Sequence, residues 1–178
     1  MTGFAVKPSP RAIVAFYGYG DIDGPWYSRP DPFYLQRPTV ARDAALQSVG
    51  NTAVAEPPIP NQRGRFYLYC RQSGRWPIEV TGHDPDKEPR AFDRFCPVRN
   101  VSREYPPTLL LHGDSDTDVP HAQSVQMAKE LERAGVEHQL ITIPGGPHGF
   151  DGQASDPVVA RAFDRAVEFL QKHVAGAR

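Results

Sequence analysis

Three short apolar runs and two amphipathic stretches organise the chain. Pro107-Thr108-Leu109-Leu110-Leu111 is apolar and runs into His112-Gly113 and then into acids. A run of that length bounded by Pro and Gly reads as a strand buried on both faces, the signature of a parallel sheet. Arg11 to Gly18 (RAIVAFYG), stopped by Gly18 and Gly20, reads as another such strand, the first in chain order, and His138 to Ile143 (HQLITI) as the third, the 107–111 run being the second. Between the last two, 120–134 carries Ala122, Val125, Ala128 and Leu131 on one helical face and ends at Gly135. After the third strand, Asp156 suits an N-cap and Pro157 a first helical position. Val159, Ala162, Phe163, Ala166, Val167, Leu170 and Val174 then recur at helical spacing. Strand, helix, strand, helix is the grammar of a parallel α/β sheet with helices against its faces.

The stretch 21–105 does not fit that grammar. It is rich in proline and aromatics and reads as one long irregular insert, with helices expected at 40–49, stopped by Gly50, and at 62–72, and a loop at 51–61 between them. Of the chain's 19 prolines most precede residue 121, which predicts a loop-rich first half. An insert of this length is usually a lid or binding loop, and this one is too aromatic for a linker. The whole chain, 1–178, is then a single domain interrupted by that insert.

Composition narrows the function classes. A formal charge of −1 over 178 residues, with no basic run, points away from nucleic acid and anionic membrane surfaces. No apolar stretch reaches the ~20 residues of a membrane span. The first residues, Met1 to Lys7, lack the charged and apolar regions of a signal peptide. The expectation is a cytoplasmic protein in which Cys70 and Cys96 stay reduced.

The chemistry concentrates past the ends of the second and third strands, where open α/β sheets place their sites. Asp114, Asp116 and Asp118 alternate after the second. An EF-hand loop starting at Asp114 would need Gly sixth and Glu twelfth, but Val119 and Val125 stand there. Asp118 is read as the cap of the following helix, and Asp116 either as an Asx-turn acid or as an acid facing the crevice. His148 lies in the glycine-rich loop Gly145-Gly146-Pro147-His148-Gly149 and is the candidate base, with Asp116 the acid that would fix its tautomer. His112 should pack or hydrogen-bond beneath the acid turn. No His or Cys pair has metal-ligand spacing, so neither a metal nor another cofactor is expected. Tyr19, Trp26, Tyr27, Phe33 and Trp76 are candidates for walling a substrate pocket, packing of the insert being the competing role for these aromatics.

A nucleophile is missing. None of Ser9, Ser28, Ser48, Ser73, Ser102, Ser115, Ser124 or Ser155 sits in Gly-x-Ser-x-Gly, and no Gly-rich early loop offers an oxyanion hole.

His112-Gly113-Asp114-Ser115-Asp116-Thr117-Asp118-Val119-Pro120 and Gly145-Gly146-Pro147-His148-Gly149-Phe150 resemble the acid turn and histidine loop of α/β-hydrolases of the esterase/lipase, prolyl-oligopeptidase-like and dienelactone-hydrolase-like branch. The resemblance implies the C-terminal part of that fold, with 12–21 as its sixth strand and following turn and 21–105 as a cap insertion. It also implies Asp116 and His148 as triad acid and base. On this reading the chain is part of a serine hydrolase acting on small-molecule ester or peptide-like acyl bonds, inactive without its serine. The alternative is a non-catalytic interaction module on the same scaffold. In either case the open edge of the first strand is a candidate for self-association.

Overall fold

The computed structural model describes residues 7–49 and 63–174. The expected loop at 51–61 and the Gly50 stop lie outside them. The described residues fall into two compact units, one built from the chain up to Asp21 together with Asp93 onward, the other from Ile22–Phe92.

The first unit carries a three-stranded parallel sheet in the order β1-β2-β3, with β1 at Ile13–Phe16, β2 at Thr108–Gly113 and β3 at His138–Ile143. The register pairs Ile13 with Thr108 and Thr108 with His138, so all three strands point the same way; β2 and β3 end together at the Gly113–Ile143 pair, while β1 stops earlier, at Phe16 opposite Leu111. β2 is central and buried at every position, which its unbroken apolar run requires. Alternation along it divides two cores. Leu109 and Leu111 join Ile143, Phe150, Val159, Ala162, Ala166 and Phe169 on one face. His112 faces the other, where it meets the helix that follows β2.

Two helices serve those faces: α6 at Ala122–Arg133 and α7 at Pro157–Val174. Asp156 caps α7 through Oδ1, which accepts from the N–H of Val158 at 2.7 Å, and Pro157 opens it, as the sequence implies. The buried stripe of α7 differs in its second half. Val159, Ala162, Phe163 and Ala166 pack inward and the stripe continues through Phe169, while Val167 and Leu170 are 53% and 40% exposed. The apolar set expected for α7 is wider than one face, and the 3.6-residue period can bury only the part that follows Phe169.

α6 is rotated further from expectation. Its buried residues are Gln123, Ser124, Met127 and Leu131, and Ala122 is exposed. Two polar side chains go inward because each has a specific partner. Gln123 Oε1 accepts from the N–H groups of Gly20 and Asp21 at 2.9 and 2.8 Å, and Ser124 Oγ meets His112. Hydrogen-bonded polar groups can be buried at little cost.

The second unit is helical where a mostly irregular chain was expected. It contains α1 at Pro25–Ser28, α2 at Pro32–Leu35, α3 at Arg42–Val49, α4 at Arg63–Ser73 and α5 at Trp76–Thr81. The prolines misled the reading: Pro25, Pro32 and Pro77 sit in the first turn of α1, α2 and α5, where a missing N–H costs nothing. α3 and α4 fall where expected. α4 ends at Gly74, whose φ of +66° and approach to the Arg29 backbone leave no room for a side chain. Arg71 organises this unit. It is 1% exposed, ion-paired with Asp31, and ringed by Trp26, Tyr27, Tyr34 and Tyr67 at 4.7 to 5.8 Å. Cys70 in the second unit and Cys96 in the first form no disulfide. Among the described residues no helix is long and apolar enough to cross a membrane.

Candidate active site

β2 and β3 end side by side, and their exit loops are laced together. Asp114 N–H donates to the Ile143 carbonyl at 3.2 Å, and Ser115 N–H to the Gly146 carbonyl at 3.1 Å. Asp114 Oδ1 accepts from Gly145 N–H at 2.7 Å. The seam is so tight that a Cβ on Gly113 would lie 2.0 Å from the Gly146 oxygen. Gly145 and Gly149 sit at φ +67° and +74°, which bends the histidine loop back toward the acid turn.

Asp116 and His148 meet across that seam. Asp116 Oδ1 accepts from the N–H groups of Asp118 and Val119 at 2.7 and 2.9 Å. Its Oδ2 lies 3.0 Å from His148 Nδ1. Asp116 thus closes the Asx turn with one oxygen and turns the other toward the histidine. A carboxylate can only accept, so the shared proton sits on Nδ1 and the neutral ring's Nε2 is left basic. The Asp116 side chain is fully buried, while that of His148 is 35% exposed. Asp116 is thus held in place by its surroundings, while the His148 ring is open to solvent.

Asp118 is not the residue that directly precedes α6. The residue before that helix is His121, with no side-chain cap, and Asp118 Oδ2 lies 3.5 Å from His148 Nε2 instead. The turn that Asp116 closes with the Asp118 and Val119 amides directs the Asp118 carboxylate toward the histidine loop.

His112 lies under the turn as expected. Its Nδ1 is 2.7 Å from Ser124 Oγ and its Nε2 is 2.9 Å from the Val119 carbonyl. The carbonyl requires a proton on Nε2, and in the neutral ring Ser124 then donates to Nδ1. Burial is the main cause holding its pKa below the ordinary histidine value, against the opposing pull of the Val119 carbonyl and Asp116. A neutral ring leaves the negative charge of Asp116 to His148.

The aromatic candidates fall in different places. Tyr19 belongs to the first unit, is 42% exposed, and lines an apolar cavity of about 130 Å³ with Ile13, Ala15, Tyr105, Leu110 and Met127. Trp26, Tyr27, Phe33 and Trp76 belong to the second unit. Tyr27 is 1% exposed, stacked on Trp26 at 4.0 Å and 4.5 Å from Trp76, so its ring packs the unit and does not wall a pocket. Phe33 stays on the surface, edge-on to Tyr34. Among the described residues no cluster of three or more His, Cys, Asp or Glu has the arrangement of a metal site.

Sequence reasoning missed Tyr17, whose ring centroid lies 4.3 Å from that of His148. It reads as an ordinary strand residue, and no local pattern marks it.

Residues 53–177 match the model of the prolyl oligopeptidase family. The chain belongs to that family. This prolyl oligopeptidase family chain has the α/β-hydrolase fold. A non-reducing polyketide synthase of Aspergillus calidoustus, ausA, is 28% identical over 208 residues, covering 93% of this chain and 8% of the synthase. Acylamino-acid-releasing enzyme 1 of Oryza sativa subsp. japonica is 36% identical over 72 residues, covering 37% of this chain and 9% of the enzyme. In fold, the chain resembles a protein of Staphylococcus aureus subsp. aureus Mu50, with a TM-score of 0.71 at 21% identity over 91% of this chain and 56% of that one. The prolyl oligopeptidase family chain thus spans 8 to 9% of the length of the curated relatives it matches.

Proposed function

We propose that the chain supplies the acid and base of a Ser-Asp-His hydrolase site that cleaves ester or peptide-like acyl bonds, the serine and oxyanion hole coming from polypeptide beyond these 178 residues. The observation that carries this reading is the 3.0 Å approach of Asp116 Oδ2 to His148 Nδ1, with the other carboxylate oxygen tied to two backbone N–H groups. In such a site Asp116 holds the imidazole in the Nδ1–H tautomer. His148 Nε2 takes the serine proton as the acyl carbon is attacked and returns it to the leaving group. Asp116 stabilises the imidazolium formed between those events. The acyl-bond substrate class is supported by the family and by the name of the rice relative.

The serine is assigned elsewhere because no serine here lies in Gly-x-Ser-x-Gly. Among the described residues β1 pairs only with β2, and its other edge is the proposed attachment for further strands, or for a second copy in the chain alone. The Ile22–Phe92 unit is the proposed cap. Within it Trp26, Phe33 and Trp76 offer aromatic surface to a substrate's apolar portion, and Tyr27 would act by holding Trp26. Tyr19, on the first unit, is the remaining proposed substrate contact.

The test compares two proteins: this chain, and the product extended upstream to the preceding in-frame stop codon. The extended product should hydrolyse p-nitrophenyl acyl esters and take a fluorophosphonate label, and His148→Ala should lower its kcat by about 10⁴-fold or more. The chain alone should do neither. Turnover by the chain alone that His148→Ala abolishes would place the nucleophile inside it. An extended product that is folded, inert and unlabelled would remove the serine-hydrolase reading.

A further inference from the structure

Resting on that reading of His148, we infer that Tyr17 is a positioning residue that clamps the base from the face that Asp116 does not reach. Three observations meet at Tyr17. First, its backbone is unusual. The residue follows the last residue of β1, its N–H still donates to the Leu111 carbonyl at 2.8 Å, and its φ is +39°. A bulky aromatic residue is rarely found there, because Cβ crowds the backbone in the left-handed region. The sheet and the two loops hold it in place, and strain of this kind gathers where geometry serves a site.

Second, the strained backbone delivers a ring to the histidine. The Tyr17 and His148 centroids are 4.3 Å apart with planes inclined at 53°. Asp116 fixes one nitrogen of the imidazole, and a single hydrogen bond leaves the ring free to rock about it. A second surface against the ring removes that freedom.

Third, the ring of Tyr17 is itself anchored at both ends. Its edge packs on the buried Phe150 at 5.8 Å, and its hydroxyl donates to Asp151 Oδ1 at 3.0 Å. Phe150 and Asp151 follow His148 by two and three residues, so the whole histidine turn is gripped by one side chain from the end of β1. Phenylalanine could fill the volume, but only a hydroxyl can reach Asp151. Partial burial, then the Asp151 bond, raises the Tyr17 pKa above its ordinary value, which keeps the proton needed for donation throughout the range in which a histidine acts as a base.

The clamp is testable in this chain without the serine, from the proton NMR resonance of His148 Nδ1–H. Sharpness of that signal reports a long-lived bond to Asp116. Asp116→Asn is the control for the underlying reading and should abolish the signal. Tyr17→Phe, which keeps the ring and loses the anchor, and Tyr17→Leu, which loses both, should broaden it progressively to loss. They should also raise the rate of carbethoxylation of His148 by diethyl pyrocarbonate. Asp151→Ala should mimic Tyr17→Phe, and Asp151→Asn, which keeps an acceptor, should restore the signal. Circular dichroism and thermal melts establish that each variant is folded. A Tyr17→Phe chain that melts lower but keeps a sharp His148 signal and an unchanged carbethoxylation rate would show a packing role only and overturn the clamp. A signal indifferent to Asp116→Asn would instead overturn the acid–base pair itself.

Discussion

The seam between the acid turn and the histidine loop is held by Gly113, and replacing its hydrogen with a methyl group measures how tight it is. Gly113 does not occupy the left-handed region, so Gly113→Ala carries no backbone penalty and the effect is steric. The new Cβ would stand 2.0 Å from the Gly146 oxygen, 2.5 Å from its carbonyl carbon and 2.9 Å from its Cα. All three are backbone atoms, which cannot swing aside as a side chain would. Relief requires the loops to part by about 1.5 Å, to reach ordinary contacts of roughly 3.5 Å. That opening stretches the 3.1 Å bond from Ser115 N–H to the Gly146 oxygen beyond useful range. Overpacking costs about 1–3 kcal/mol, and one lost hydrogen bond about 0.5–1.5 kcal/mol. The expected loss is therefore about 1.5–4.5 kcal/mol, or roughly 3–18 °C in Tm for a chain of this size. Urea unfolding followed by circular dichroism reads the first quantity and a thermal melt the second. Two alanine variants serve as milder controls. Gly145→Ala, at φ +67° in open space, should cost only the left-handed penalty of about 1–2 kcal/mol. Gly152→Ala, with nothing near and no left-handed backbone, should be close to neutral. A Gly113→Ala chain as stable as Gly152→Ala would refute the tight seam, and with it the account of how Asp116 and His148 are brought together.

Burial makes His112 sensitive to pH. Its folded pKa lies below the unfolded value of about 6.5. Above that value the ring is neutral in both states and its contribution is complete; below it the unfolded chain binds the proton first, so stability falls as the pH falls toward the folded pKa. The Tm advantage of the wild-type chain over His112→Gln should therefore shrink on acidification from pH 7 to 5, and an advantage independent of pH would contradict this. In the second unit Arg71→Ala strands Asp31 and removes the centre of the aromatic ring, and should cost about 3–5 kcal/mol in urea unfolding; a loss under about 1 kcal/mol would mean the pair is dispensable. Burial, reinforced by Glu79, pushes the Cys70 thiol up to about 12. Iodoacetamide at pH 8 should leave it unmodified in the native chain and label it in denaturant, and labelling of the native protein would show that the α4 core opens readily.

Much of the first unit was legible because its signals are local. The β2 run is apolar along its length since both sheet faces are covered, and Asp156-Pro157 announces α7 through backbone chemistry alone. Asp116 and His148 could be paired from order and loop composition, because strand ends and glycines are visible in sequence. What was illegible depends on distant partners. Gln123 and Ser124 turn inward on α6 only because Gly20, Asp21 and His112 wait there. Asp118 reads as a helix cap, since nothing in the chain announces that the turn closed by Asp116 will aim it at His148. Tyr17 acts on a histidine 131 positions away, and its positive φ leaves no trace in residue type. The prolines of the second unit illustrate the opposite error: a strong local signal for chain breaks that also marks the first turn of a helix.

The two oxygens of Asp116 have an evolutionary corollary. Oδ1 builds the turn and Oδ2 meets the histidine. Asparagine could preserve the first duty while forfeiting the second, whereas alanine or glycine would forfeit both. Selection for shape alone thus favours two amino acids at this position, which differ by one atom, oxygen or nitrogen, over the weaker hydroxyl acceptors of serine and threonine. A lineage selected for shape alone can drift between them and still fold, so the scaffold persists whichever of the two stands at 116.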